Sequence, residues 1–480
     1  MRAPPSTAGA GLSNEYTQAM VNDVQARDGI AERLSTLIRI PTVSAERTAH
    51  NDAFARFPGV LRTLYPRIHA DLALRTVDGT GLLFHWRGET SAAPLVLMAH
   101  WDVVPAPEDW QSTGWQAAPF SGETASAAGE DWITGRGALD DKGPLVVMLD
   151  AVENLLAAGF TPAHDIWIVL GGDEEVMGGN AKAMSALLQS ELDGEVPHLV
   201  LDEGGAVTDA PLSFVDARCA MIGLAEKGVL TVRLSSSGAG GHASAPIPDA
   251  PIARIANALR RIERRPLQPR LTRAVQSMLA AFAPLADGAA GGALKAAGRG
   301  GRVTAELLAA SGGESAAMVR TTVAQTRISG GSADNVVATE ATATLNCRIL
   351  PGSSVQATMR ALRRRIRDDS VELTIVEAHE PSASSPVGDR FELLSDALAA
   401  SWPGVAPVPY LMMAASDSRH FHTWCPHVYR FAPLLMNADE RAGIHGENER
   451  IAVSSLVRGE QFHRALVLAR GGSWAEESAA

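Results

Sequence analysis

The sequence predicts a mixed α/β protein: a mostly parallel sheet with helices on both faces, interrupted by an inserted α+β domain of order β-α-β-β-α-β. Three observations lead there. Residues 95–99 (LVLMA), 166–170 (IWIVL) and 198–201 (HLVL) are short apolar runs without alternation, as strands buried on both faces are. Between the first two, Leu145, Met148, Leu149, Val152, Leu155 and Leu156 recur at helical spacing, which makes a βαβ unit. After Glu226-Lys227-Gly228 the pattern changes: Leu230, Val232 and Leu234 alternate with Thr231, Arg233 and Ser235, a half-exposed strand.

The remaining elements follow in order. Ile252, Ile255, Leu259 and Ile262 mark one face of a helix. Residues 283–317 are rich in Gly and Ala and read as a loop-rich or helical insertion. Strands are expected at 323–328 and 339–349, a helix on Val355, Met359, Leu362 and Ile366, and a strand at 371–376. Residues 380–386 (EPSASSP) read as the return linker. The boundaries expected are 1–228 and 381–480 for the first domain, with 229–380 inserted. A chain of 480 residues has room for two cores.

Composition removes several classes. With 42 Lys and Arg against 54 Asp and Glu, the net charge of −12 argues against general nucleic-acid binding. Cys219, Cys347 and Cys425 are odd in number and lack CxxC spacing, so neither a disulfide framework nor a thiolate zinc site is expected. No leader-like apolar core opens the chain and no later run approaches a membrane span. A cytoplasmic protein without membrane partners is the expectation. No G-x-S-x-G elbow stands between a strand and a helix, which sets a serine hydrolase aside.

Each buried run ends in polar residues, where a parallel α/β sheet places its ligands. The first runs into His100 and Asp102. A His and an Asp two apart are most often surface or capping residues. At a strand end, however, i and i+2 point the same way, so Asp102 can orient the His100 ring and free its other nitrogen for metal. Asp140 and Asp141 lie near a helix start, where acids are favoured anyway, although a carboxylate there can also bridge two ions. Asp173-Glu174-Glu175 sets three carboxylates after an apolar strand; burial makes that costly unless cations are present, and a solvated loop is the alternative. Asp202 and Glu203 follow the third run, and His445 sits in a Gly-flanked polar loop. Oxygen and imidazole donors without thiolate suit Zn²⁺, with Co²⁺ or Mn²⁺ possible.

The segments AHWDVVP, GRGALDDKG, GGDEE, LDEGG and IHGENE resemble, in order and spacing, the motifs of the dinuclear-zinc exopeptidase family. That family includes carnosinase-like dipeptidases, bacterial glutamate carboxypeptidase, succinyl-diaminopimelate desuccinylase and aminoacylases. Asp202-Glu-Gly-Gly and Val319-Arg-Thr-Thr-Val-Ala before Asp334-Asn335 are most similar to the Gly-Xaa carboxypeptidase and N-acyl-amino-acid hydrolase branch.

The resemblance implies two Zn²⁺ per chain, one held by His100, Asp140 and Asp202, the other by Asp140, Glu175 and His445. Glu203 is the alternative to Asp202. Glu174 would be the general base, and the inserted domain a lid and dimerisation domain. Gly240-Gly-His242-Ala-Ser-Ala-Pro resembles the motif whose His reaches an active site, commonly that of a partner subunit. A structural turn is the other reading. Asn335 and Arg348 match positions that contact a substrate carboxylate; Thr344, Asn346 and Arg348 share one strand face, which leaves Arg348 free to meet one, a surface Arg being the other reading. Ser416-Asp417-Ser418-Arg419 sits where the family has a substrate-side loop, with Ser in place of the usual Thr before Asp. The implied activity is hydrolysis of an amide next to a free carboxylate, in an N-acyl amino acid, dipeptide or short peptide, by a homodimer. A dipeptidase, or a deacylase of a biosynthetic N-acyl intermediate, is the alternative.

Overall fold

The computed structural model describes residues 21–212 and 214–475, so the N-terminal stretch weighed above as a leader lies outside them. The chain divides into two compact units: Met1–Gly223 with Ser385–Val408 and Ser416–Ala480, and Leu224–Ser384 with Pro409–Ala415.

The first unit is built around a sheet whose middle strands, His164–Gly171, Thr90–His100, Leu199–Asp202 and Val428–Arg430, run parallel in that order. Gly81–Trp86 and Ala73–Val77 add antiparallel strands beyond His164–Gly171. From Ile166 to Gly171 and from Pro94 or Leu95 to His100 these strands are buried or nearly so, which is why their sequence shows no alternation. Helix Lys142–Ala157 is buried at every position from Lys142 to Leu155, so its acids need internal partners. Asp150 accepts from Arg27 at 2.6 Å and Arg33 at 2.5 Å, and Glu153 accepts the backbone N–H of Arg67 and Ile68 at 3.0 Å each. The described helices include none long and apolar enough to cross a membrane.

The second unit is an antiparallel sheet in the order Thr322–Gly330, Glu340–Ile349, Gly228–Ser237, Glu372–His379. Burial alternates along Gly228–Ser237 and Glu340–Ile349. Leu230, Val232, Leu234, Leu345 and Cys347 meet Ile255, Leu259 and Ile262 of helix Pro251–Glu263 and Leu362 and Ile366 of helix Val355–Ile366. Ser354 caps the latter by accepting the Ala357 N–H. The Gly/Ala-rich insertion is helical, in pieces Gly288–Arg299, Gly301–Ala310 and Gly313–Val319, with left-handed glycines at its breaks.

Candidate functional site

The site is assembled where the parallel strands of the first unit end. His100 is the last residue of its strand and is buried, with its backbone N–H donated to Asp141 Oδ2 at 2.9 Å. Its Nδ1 lies 3.1 Å from the Asp102 carbonyl and 3.4 Å from Asp102 Oδ1. Asp102 therefore fixes the ring mainly through its main chain. Its fully buried carboxylate accepts the backbone N–H groups of Glu174 and Glu175 at 3.1 Å each, which clamps the acidic turn against the His100 strand. Gly171 is needed in the approach: a Cβ there would stand 2.9 Å from Asp417 Oδ2.

Two groups of potential ligand atoms converge, and they share one residue. His100, Asp140 and Glu203 form the first; Asp140, Glu175 and His445 form the second. His100 Nε2 lies 3.0 Å from Asp140 Oδ1 and 3.7 Å from Glu203 Oε1. His445 Nε2 lies 3.1 Å from both Asp140 Oδ2 and Glu175 Oε2. Asp140 thus offers one oxygen to each group, as a bridging carboxylate does.

Of the two acids left open after the third strand, the geometry favours Glu203. Asp202 is buried with its Oδ2 accepting the Ser418 N–H at 2.8 Å, and the side chain that joins His100 and Asp140 is Glu203. Successive residues at a strand end point in opposite directions, so only one of the pair turns to the cluster.

One acid that the sequence reading left without a role organises the bridging loop. Glu449 is fully buried and accepts from Gly137 N (3.0 Å), Leu139 N (2.7 Å), Asp140 N (3.1 Å) and Arg136 Nη1 (2.7 Å). It holds the backbone that carries Asp140. The available signal was its place in IHGENE, four residues after His445. Lys142 is buried beside it, donating to the carbonyls of Leu37 (3.0 Å) and Ile40 (2.7 Å), and burial pulls its pKa down to about 7.

Electrostatics tests whether cations fit. Burial, reinforced by neighbouring carboxylates, pushes the pKa values of Glu174, Glu175 and Glu203 up. Hydrogen bonds to Asp140 and Glu175 raise His445 to about 10. Burial opposes protonation of His100, yet Asp102 and Asp140 outweigh it and raise its pKa. A cluster of carboxylate and imidazole donors gathered this closely, with Asp140 common to both groups, fits divalent ions. Nearby, burial lifts Asp417 to about 7, while Arg419 opposes the shift. Arg419 Nη1 donates to the Ser416 carbonyl at 2.8 Å, and its Nε and Nη2 have no partner among the described residues.

The other candidates lie in the second unit. His242 pairs with Val336, and the Ala243 N–H donates to the Asn335 carbonyl at 3.0 Å, so His242 and Asn335 share one short ribbon. The His242 ring is exposed, with Nδ1 2.8 Å from Ser244 Oγ and 3.2 Å from Ser244 N, so Nε2 is the ring nitrogen left clear of its own turn. Arg348 is half-buried on strand Glu340–Ile349, with Nε donating to Asn346 Oδ1 at 3.2 Å.

Comparison with known proteins agrees with this geometry. The model of "Peptidase family M20/M25/M40" matches residues 96–469. The chain is 32% identical over 453 residues to the mouse N-fatty-acyl-amino acid synthase/hydrolase PM20D1, covering 91% of this chain and 87% of that one. It is 29% identical over 464 residues to a probable carboxypeptidase S-like 2 of Dictyostelium discoideum, covering 91% and 84%. Among solved structures it shares its fold with human carnosine dipeptidase 1, at a TM-score of 0.66 and 15% identity over 96% of this chain and 99% of that one. On the extent of the family match and the likeness to these relatives, the chain belongs to the M20/M25/M40 peptidase family.

Proposed function

We propose that the chain is a dinuclear-zinc hydrolase that cleaves the amide bond of N-acyl amino acids, with dipeptides as the second substrate class. The carrying observation is the pair of ligand groups that share Asp140, with Glu174 buried beside them. One zinc is assigned to His100, Asp140 and Glu203, the other to Asp140, Glu175 and His445. When bound, such a pair acidifies a water and polarises the scissile carbonyl.

Glu174 is assigned the proton transfers: it takes the proton from the attacking water and returns it to the leaving amine. Burial raises its pKa, which makes its carboxylate a stronger acceptor for the proton of the water. Asp102 positions both Glu174 and Glu175 through their backbone N–H groups. His242, through Nε2, is assigned as the donor to the oxyanion. Arg348 and Asn335 are assigned to the free carboxylate, and a homodimer built on the second unit belongs to this reading. Exposed Ile328, Val336 and Ile375 on that unit support it. The names of the mouse and Dictyostelium relatives support an N-acyl amino acid or peptide substrate. The likeness in fold to carnosine dipeptidase keeps dipeptides as the second class. A cytoplasmic setting is supported by three buried free thiols, Cys219, Cys347 and Cys425.

The test is a panel of N-acyl amino acids and dipeptides offered to the zinc-loaded chain, each with its carboxylate free or amidated, with products followed by mass spectrometry. Cleavage restricted to the free acids is expected. Equal cleavage of the amidated partners would remove the carboxylate anchor from the account.

A further inference from the structure

Helices Pro251–Glu263 and Val355–Ile366 of the second unit run out into arginine-rich segments, RRIERR at 260–265 and RRRIR at 363–367. These converge on a cleft of about 210 Å³ lined by Arg260, Arg261, Arg264, Arg265, Arg365 and Arg367 and by no other side chain. Arginine at a helix C-terminus is ordinary, because it faces the negative end of the macrodipole. Two of the six do that work. Arg261 Nη1 donates to the Ile366 carbonyl at 2.6 Å, and Arg365 donates to Ala361 O at 3.0 Å and Pro266 O at 3.2 Å.

The other four, Arg260, Arg264, Arg265 and Arg367, have no side-chain hydrogen bond or ion pair among the described residues. One acid that feels this surface is Asp368: its Ser370 hydrogen bond, with Arg254 and Arg261 behind it, holds its pKa low. Glu263, Asp368 and Asp369, the acids in and beside these two segments, do not balance six guanidinium groups. Burial, with Arg364 and Arg265 close by, weakens the hold of Arg365 on its proton. The excess is a property of the whole unit, where twenty Lys and Arg stand against thirteen Asp and Glu, in a chain whose net charge is −12.

We propose that this cleft is a binding site for a phosphate group, borne by a small phosphate ester or by a lipid headgroup. Unpaired guanidinium forks present parallel N–H donors that match the oxygens of a phosphate, and several forks together offer more donors than one carboxylate can accept. The cleft is several times the volume that one water takes in the liquid, so a phosphate with its ester group fits. The site lies in the unit that carries none of the candidate metal ligands.

The experiment is calorimetric titration of the zinc-loaded full chain with glycerol phosphate at fixed ionic strength, with co-sedimentation on phosphatidylglycerol vesicles as the second arm. Binding is expected in at least one arm, and the arm that responds names the source of the phosphate. Arg260→Gln with Arg264→Gln should weaken it tenfold or more. Arg56→Gln with Arg62→Gln, which removes the same charge from an exposed helix of the first unit, should leave it within twofold. Failure of the wild-type chain to bind either probe overturns the proposal, and so does an equal loss in both double variants.

Discussion

The two units handle charge in opposite ways. In the first, carboxylates are buried and pinned one by one: Asp102 by two backbone N–H groups, Glu449 by three and an arginine, Asp150 by two arginines. In the second, the sheet–helix core is apolar; Glu226 and Lys227 are buried where the unit begins, and the arginines gather at helix ends. Burying a charge is expensive unless it is paired, so the acids retained inside the first unit mark where the protein has a use for them. Asp140, Glu174, Glu175 and Glu203 are the members of that set whose remaining partners are one another and histidine.

The sharpest way to break this contrast is to neutralise Glu174. Glu174→Gln should lower kcat by about 10³ or more, within the range seen for general acid–base groups, while both metals stay bound. Near-wild-type turnover would end its assignment. Glu449→Gln tests pinning rather than chemistry. Stability should fall by roughly 3 kcal/mol, because Arg136 loses its buried anion, and metal affinity by about 10–100-fold, read by denaturant unfolding and by competition with a chelator.

Leu345→Ala probes the other unit, where the side chain is fully buried in the sheet–helix core. It should cost about 3 kcal/mol with metal content unchanged, and a loss of metal would deny the two units their separate roles.

The smallest effect is on pH dependence. Burial alone drops His463 to about 3, below its usual value near 6.5. The unfolded chain therefore binds that proton first, so the contribution is complete above pH 6.5 and declines as pH falls towards 3. Between pH 7 and 5 the loss is roughly 2 kcal/mol, and His463→Leu should flatten the fall of Tm over that window. An unchanged slope would show that His463 is not held neutral.

How much was legible in the sequence follows the same division. Strands buried on both faces announced themselves by unbroken apolar runs, and the polar residues after them were found where parallel strands end. Alternation gave the second unit its strands. The choice between Asp202 and Glu203 was not legible, because it depends on which residue is last in the pleat, and a shift of one reverses direction. The place of Glu449 in IHGENE was legible but its role was not, because the N–H groups it accepts from lie 309 to 312 positions away. The insertion at 283–317 left loop and helix open, since Ala favours helix and Gly opposes it. The structure resolves this with short helices broken at Gly300–Gly301 and Gly312–Gly313.

The proposal that two ligand groups sharing Asp140 hold a metal pair rests on their geometry. Its most direct test is the metal content of purified wild-type, Glu203→Gln and Asp202→Asn chains, measured by elemental analysis after saturation with zinc and removal of free ions. The account predicts two zinc ions per wild-type chain, one in Glu203→Gln and two in Asp202→Asn, whose amide can still accept from Ser418 N. A single zinc in the wild-type chain, or a loss that follows Asp202 and spares Glu203, would contradict it.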